Sequence, residues 1–164
     1  MRTNNAKVRN VIVSVYFILI VAGILLTVVF KAFSDLSKNP LVTSLVITVV
    51  FSLIFFLFHF ISKYFEYDSD GMKVVITNKG LLLADHFNYR EKTVDFDKRQ
   101  LAGFKFRNFI FYKTLVVYLK SDRGNHKSES FNVTLVARKK RKYIKQSLSK
   151  IIKLNAKALE SEKN

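Results

Sequence analysis

The chain has no cysteine, one proline and five glycines among its 164 residues. Without cysteine, disulfide bonds, thiolate zinc sites and a cysteine nucleophile are all excluded. With so few glycines there is little room for a phosphate-binding glycine loop or a dinucleotide fingerprint. Neither pattern occurs, and there is no nucleophile elbow. These absences argue against the common nucleotide-dependent and hydrolytic enzyme classes.

The three histidines also lack a catalytic pattern. His59 lies in an apolar run, whereas His86 and His126 fall at a predicted strand end and in a predicted turn. No two of them have the spacing of metal ligands on one helix or hairpin. His59 has the best argument for function, since polar groups in a membrane segment are costly, but its place near the end of the run favours contact with the headgroup layer.

The acidic residues give no firmer indication of chemistry. Residues 68–71 look like the start of a calcium loop, but Gly71 comes too early and no glutamate closes the site, so a tight hairpin is favoured. Asp95 and Asp97 could form a carboxylate pair on one strand face, although neighbouring lysines and Arg99 favour simple charge balance. The sequence therefore predicts a protein that is not an enzyme and has no metal and no cofactor.

Charge is missing from two long stretches, residues 11–30 and 41–61. At 1.5 Å per residue each spans roughly 30 Å, the hydrocarbon thickness of a bilayer. Both predict transmembrane helices, and the short loop 31–40 allows only an antiparallel hairpin. The rest of the chain is too small to cover two buried core helices. A cleaved signal peptide ending near Ser34 is disfavoured because the first run is longer than a typical signal sequence.

The basic flanks predict the orientation. Arg2, Lys7 and Arg9 precede the first run, whereas the connecting loop carries two lysines and one aspartate. The positive-inside rule then places both termini in the cytoplasm, with the helices in the cell (inner) membrane. The predicted organisation is a cytoplasmic tail (1–10), a first helix (11–30), an extracytoplasmic loop (31–40), a second helix (41–61), a cytoplasmic domain (63–158) and a short tail (159–164).

Beyond the second run the pattern changes to alternating apolar and polar side chains, which is typical of β-strands. The clearest case is Phe104-Lys105-Phe106-Arg107. Turn-forming residues such as 68–71 and 78–80 separate the segments. Seven strands are predicted, at residues 63–67, 72–77, 80–85, 92–96, 101–108, 112–120 and 127–133.

The C-terminal segment predicts an amphipathic helix over about residues 138–158. Ile144, Leu148, Ile151 and Ile152 recur at helical spacing and form one apolar stripe. Seven antiparallel strands followed by one such helix predict an α+β domain. Its strands would form a partly open barrel or a two-layer sandwich that the helix closes.

Positive charge is concentrated in the same helix. Residues 63–164 contain 23 Lys and Arg against 11 Asp and Glu, and nine of the bases lie between 138 and 157. Close to an anionic leaflet such a surface would attract lipid headgroups, although a solvated helix face explains the pattern about equally well. Nucleic acid is an unlikely partner because no recognition module occurs. The residues predicted to contact headgroups are Arg138, Lys139, Lys142, Lys150, Lys153 and Lys157.

Two apolar helices followed directly by this strand series and a closing helix resemble the bacterial PH-domain proteins, a membrane-anchored PH-like family. The segment 93–101 is similar to the family's strand, turn and strand unit. Phe131-Asn132-Val133 leading into the run RKKRK resembles its last strand entering the closing helix. The resemblance covers roughly residues 63–152 and implies a PH-like fold. The first hairpin loop, 68–71, lacks the bases of phosphoinositide-binding PH domains, which argues against that route of ligand binding.

Two functions follow as expectations. The first is a non-enzymatic, membrane-anchored adaptor that binds a protein partner, or a second copy of the chain, and also anionic lipid. The second is an accessory or regulatory subunit of a membrane enzyme or transporter, with the helix hairpin as the contact. In the second case small and hydroxyl residues would line the contact. Those residues are Ala22, Gly23, Thr43, Ser44, Thr48 and Ser52.

Overall fold

The computed structural model of the chain describes residues 1–32, 39–80, 91–120 and 126–161. The chain divides into two compact units. One is a helical unit, Lys7–Ser62. The other, which we call the sheet domain, comprises Met1–Ala6 together with Lys63–Asn164.

The helical unit consists of α1 (Arg9–Ala32) and α2 (Pro40–Ile61), which pack against each other. The Tyr16 and Phe55 rings meet edge to face with centroids 4.8 Å apart. The Thr27 and Thr48 hydroxyls each donate to the carbonyl four residues earlier, at 2.9 Å, as expected for hydroxyls in an apolar helix. Both predicted apolar helices are confirmed, and both are long and apolar enough to cross a membrane.

The sheet domain contains two antiparallel sheets. The four-stranded sheet has the order β1 (Arg2–Asn4), β2 (Lys63–Asp68), β3 (Lys73–Gly80) and β4 (Lys92–Asp97). The three-stranded sheet has the order β5 (Leu101–Asn108), β6 (Lys113–Lys120) and β7 (His126–Asn132). A short 3-10 helix, Lys98–Gln100, connects the two, and α3 (Arg138–Ser161) follows.

The antiparallel strands and the closing helix are thus confirmed, and in the described residues the strands form two open sheets. The predicted strand 80–85 lies outside the described residues except for Gly80. The turn predicted at 78–80 is wrong, because β3 continues to Gly80, which is opposite Lys63 on β2. The turn predicted at 68–71 is confirmed: Gly71 has φ +71°, and the Asp70 N–H donates to the Asp68 carboxylate at 2.9 Å.

Strand β1 is an addition that the sequence does not predict. It pairs with β2, with Arg2 opposite Asp68 and Asn4 opposite Glu66. The buried Asn5 extends the pairing: its amide donates to the Lys63 carbonyl at 3.0 Å and accepts from the Phe65 N–H at 2.9 Å. The residues that precede α1 and those that follow α2 therefore join the same sheet.

One core serves both sheets and α3. Alternate residues of β2 and β3 are buried, as period-two patterning requires, whereas in β6 the three consecutive residues 115–117 are all buried. The predicted apolar stripe of α3 closes this core, with Ile144 and Leu148 fully buried and Ile151 nearly so. The largest fully buried side chains are Tyr67, Phe65, Phe131, Ile76, Leu101, Leu115, Ile144 and Leu148.

Candidate anion-binding groove

A groove of about 1270 Å³ lies between β5 and the first turns of α3. We call it the basic groove. Phe104 and Phe106, whose rings lie edge to face with centroids 6.0 Å apart, line it together with Asn108. The remaining lining residues are all cationic and no Asp or Glu is among them: Lys105, Lys113, Arg138, Lys139, Arg141, Lys142 and Lys145.

Backbone contacts bring the strands and the helix start together. The Val133 N–H donates to the Lys113 carbonyl at 2.8 Å, and the Lys113 N–H donates to the Thr134 hydroxyl at 2.9 Å. These bonds tie the start of β6 to the segment that leads into α3. Residues far apart in sequence, Lys113 and Arg138, thereby line one groove.

Polar contacts further along α3 hold the helix in place. The hydroxyls of Ser147 and Tyr67 are hydrogen-bonded at 2.9 Å. Near the end of the helix, the Asn155 amide donates to the carbonyls of Lys98 at 2.8 Å and Leu101 at 3.1 Å. With its middle and its end anchored, the direction in which α3 presents its first turns is fixed.

The six residues predicted to contact headgroups do not form one site. All six are exposed on α3, but only Arg138, Lys139 and Lys142 line the basic groove. Lys150 lines a separate depression of about 490 Å³, together with Lys98 and Ser147. Lys153 and Lys157 line neither the basic groove nor this depression. Three of the six predicted residues therefore line the basic groove, and the other three lie outside it.

Four cations of the groove are missing from the sequence-based set. Arg141 and Lys145 belong to the same basic segment of α3 and could have been included on that ground. Lys105 carried a signal in the alternation of Phe104-Lys105-Phe106. Lys113 had no local signal, because its place in the groove depends on how β6 meets the start of α3.

Acidic residues of the sheets are already paired with cations outside the groove. Glu129 accepts from Lys92 at 2.7 Å and from Lys127 at 2.9 Å, and the hydrogen bond from Lys92 is the main cause of the lowered pKa of its carboxyl. Asp95 pairs with Lys73 at 3.1 Å. These carboxylates are engaged elsewhere, and the groove lining itself supplies no negative charge.

The start of α3 adds to the positive potential. Its first turn has no acidic residue, and residues 138–142 are all Lys or Arg. Unsatisfied N–H groups make a helix N-terminus partially positive, so cations there are unfavourable and anions favourable. A bound anion in the basic groove would therefore relieve repulsion that the free protein carries.

The aspartates and histidines considered above for catalysis or metal binding do not come together in one site within the described residues. Asp97 accepts from the Arg99 N–H at 2.9 Å and caps the 3-10 helix, whereas Asp95 pairs with Lys73, so charge balance and capping account for both. His59 lies in the last turn of α2, His126 begins β7, and His86 falls outside the described residues. Among the described residues no three His, Asp or Glu side chains are grouped so as to hold a metal ion.

No family model, no curated protein and no solved structure matches the chain. What the geometry defines is a chain with two apolar helices and a two-sheet domain that carries a cationic groove.

Proposed function

We propose that the protein is a non-enzymatic, membrane-anchored adaptor. In this proposal α1 and α2 cross the cell (inner) membrane, and the sheet domain lies at the cytoplasmic face. The domain binds a protein partner, and its basic groove binds anionic lipid headgroups. The observation that carries the proposal is a groove lined by seven cations and no carboxylate.

A PH-like identity for the sheet domain is part of the proposal. It is supported by two antiparallel sheets that share one core with a C-terminal helix. The helix start forms one wall of the basic groove. This site is distinct from the first hairpin loop, 68–71, whose acidic residues argue against anion binding there.

The tether favours lipid as the source of the anion. Only Ser62 separates α2 from β2, so a domain anchored by α2 stays within reach of the headgroups. Each Lys or Arg near an anionic leaflet contributes on the order of 1 kcal/mol, and the effect decays within a Debye length. Seven cations in one groove would therefore favour an anionic headgroup over a neutral one.

We expect both termini to lie on the cytoplasmic side. Because β1 and β2, at the two ends of the helical hairpin, pair within one sheet, both ends would lie on the same side of the membrane. The basic residues before α1 favour the cytoplasmic side. A reporter fused after Asn164 should be active only in its cytoplasmic form, and a reporter inserted in the loop 31–40 should be active only in its periplasmic form. A periplasmically active fusion after Asn164 would reverse the proposed orientation.

The groove can be tested by charge reversal in the full chain. A variant with Arg138, Lys139 and Lys142 changed to Glu should lose most of its preference for phosphatidylglycerol over phosphatidylcholine. Acidic residues at a helix start are favourable, so this variant should keep its fold. The measurement is the ratio of the two lipids that copurify with the chain in neutral detergent, at low and at high salt.

The matched control reverses Lys150, Lys153 and Lys157, which lie on the same helix outside the basic groove. It changes the net charge by the same amount and should keep most of the lipid preference. Equal loss in the two variants would show attraction by the whole helix rather than by the groove. An unchanged ratio in both would end the lipid-headgroup proposal.

A second function, a subunit that binds a membrane enzyme or transporter through its helices, is favoured by one observation. An apolar cavity of about 560 Å³ lies between α1 and α2, lined in part by Gly23, Thr27, Thr48 and Ser52. Small and hydroxyl residues permit close approach of another helix. Affinity purification of the intact chain and of a variant with Thr48 and Ser52 changed to Leu separates the functions, because a partner held by the helices would be lost and a partner held by the sheet domain would be kept. Gly23 is left unchanged, since a Cβ there would lie 3.4 Å from the Phe51 ring of α2.

A further inference from the structure

The hairpin between β5 and β6 ends in an apolar tip. Phe109 is 44%, Ile110 93% and Phe111 62% exposed. Turns at the surface of a soluble domain are normally built from Gly, Asn, Asp, Pro and Ser. Three consecutive large apolar residues at such a position expose hydrocarbon to water, so an apolar environment that covered the tip would be favourable.

The tip has a defined shape. The Phe109 N–H donates to the Tyr112 carbonyl at 2.8 Å, which closes the turn. The Phe109 ring stacks on the Tyr112 ring, with centroids 4.5 Å apart and planes 17° from parallel. Ile110 and Phe111 are consequently held as the most exposed residues of a closed hairpin rather than of a loose loop.

Cations lie directly below the tip on the same hairpin. On β5, Arg107 precedes the tip with the uncharged Asn108 between them, and Lys113 begins β6. Lys105 and Lys113 belong to the basic groove, which therefore adjoins the tip. Apolar and aromatic side chains above a layer of Lys and Arg match the order of a membrane surface, in which acyl chains lie beneath anionic phosphates.

We infer that Phe109-Ile110-Phe111 inserts into the interfacial layer of an anionic bilayer, so that the basic groove is held at the level of the headgroups. The inference rests on the proposed membrane anchoring and adds a second contact with the same bilayer. Three side chains are too few for a stable protein interface, which buries on the order of 1,000 Å². A tether of one residue between α2 and β2 keeps the bilayer at high effective concentration, so a small insertion suffices.

The chain contains no tryptophan, so an Ile110→Trp variant carries a single fluorescent reporter at the most exposed position of the tip. The full chain is reconstituted in vesicles of phosphatidylcholine and phosphatidylglycerol, with brominated acyl chains as the lipid quencher and iodide on both sides as the aqueous quencher. We expect strong quenching by the brominated lipid, weak quenching by iodide, and emission at shorter wavelength than in the control.

The control is Met72→Trp. Met72 is 77% exposed, and its carbonyl accepts from the Lys98 N–H at 3.4 Å, close to where β5 begins. Eight residues of β5 separate this end of the domain from the tip, which is roughly 25 Å at the rise of a β-strand. The control should be quenched by iodide and not by the brominated lipid.

Flotation of the vesicles tests membrane anchoring of the chain separately from insertion of the tip. If the chain floats but Ile110→Trp is quenched by iodide as strongly as Met72→Trp, insertion of the tip is wrong and the anchoring stands. If the chain does not float with the vesicles, the anchoring fails and the inference fails with it.

Discussion

Replacing Leu148 with alanine is expected to lower the free energy of unfolding of the sheet domain by about 2 to 5 kcal/mol. Leu148 is fully buried in the core that α3 shares with both sheets. Alanine removes apolar contacts and leaves a cavity that the two sheets cannot fill, because strand pairing fixes their positions. Urea unfolding in neutral detergent, followed by near-ultraviolet circular dichroism, measures the change.

Leu154→Ala is the matched control. It makes the same chemical change on the same helix, but Leu154 is 56% exposed. Exposed substitutions usually change stability by about 0.5 kcal/mol or less. If the two variants lost equal stability, α3 would not close the core in the way described.

The helices were predictable because their signals are local. Uncharged runs of membrane length predicted α1 and α2, and a stripe at helical spacing predicted α3 and its buried side. Alternation predicted most strands for the same reason. In each case the residues that decide the structure are neighbours in sequence, so one window of the chain contains the information.

Strand β1 could not be predicted because its signal is not local. Arg2, Thr3 and Asn4 show no alternation of apolar and polar side chains, and their pairing partners on β2 are more than sixty residues away. Asn5 extends this pairing, because its side-chain amide forms hydrogen bonds with the β2 backbone like those of a strand backbone. Only the folded arrangement reveals such a contact.

Only the part of the candidate site with a local sequence signal could be predicted. A dense run of Lys and Arg identified the start of α3, but the sequence could not separate the part that lines the basic groove from the open part. Which part of α3 lines the groove depends on where the three-stranded sheet packs against the helix. The same packing brings Lys105 and Lys113 to the groove. Residues 109–111 lie between two predicted strands, and only the folded domain shows that they form an exposed apolar tip.

Asn78→Ala is expected to destabilise the sheet domain by roughly 1 to 3 kcal/mol, since hydrogen bonds inside the protein would be lost without replacement. The Asn78 amide accepts from the Asn132 N–H at 3.0 Å and donates to the Asn132 carbonyl at 3.1 Å. It also donates to the Tyr64 carbonyl at 2.8 Å. Asn78 thus joins β3 to the end of β7 with the two bonds that an antiparallel neighbour would make.

This linkage explains why a turn-like sequence continues as a strand: the side chain that favours turns is used to connect the two sheets. Thr77→Ala is the control, because the Thr77 hydroxyl makes one exposed bond, to the Thr93 hydroxyl at 3.2 Å. It should change stability by a few tenths of a kcal/mol at most. Urea unfolding of both variants tests the difference, and a loss for Asn78→Ala no larger than for Thr77→Ala would show that the sheets are held together by the shared core alone.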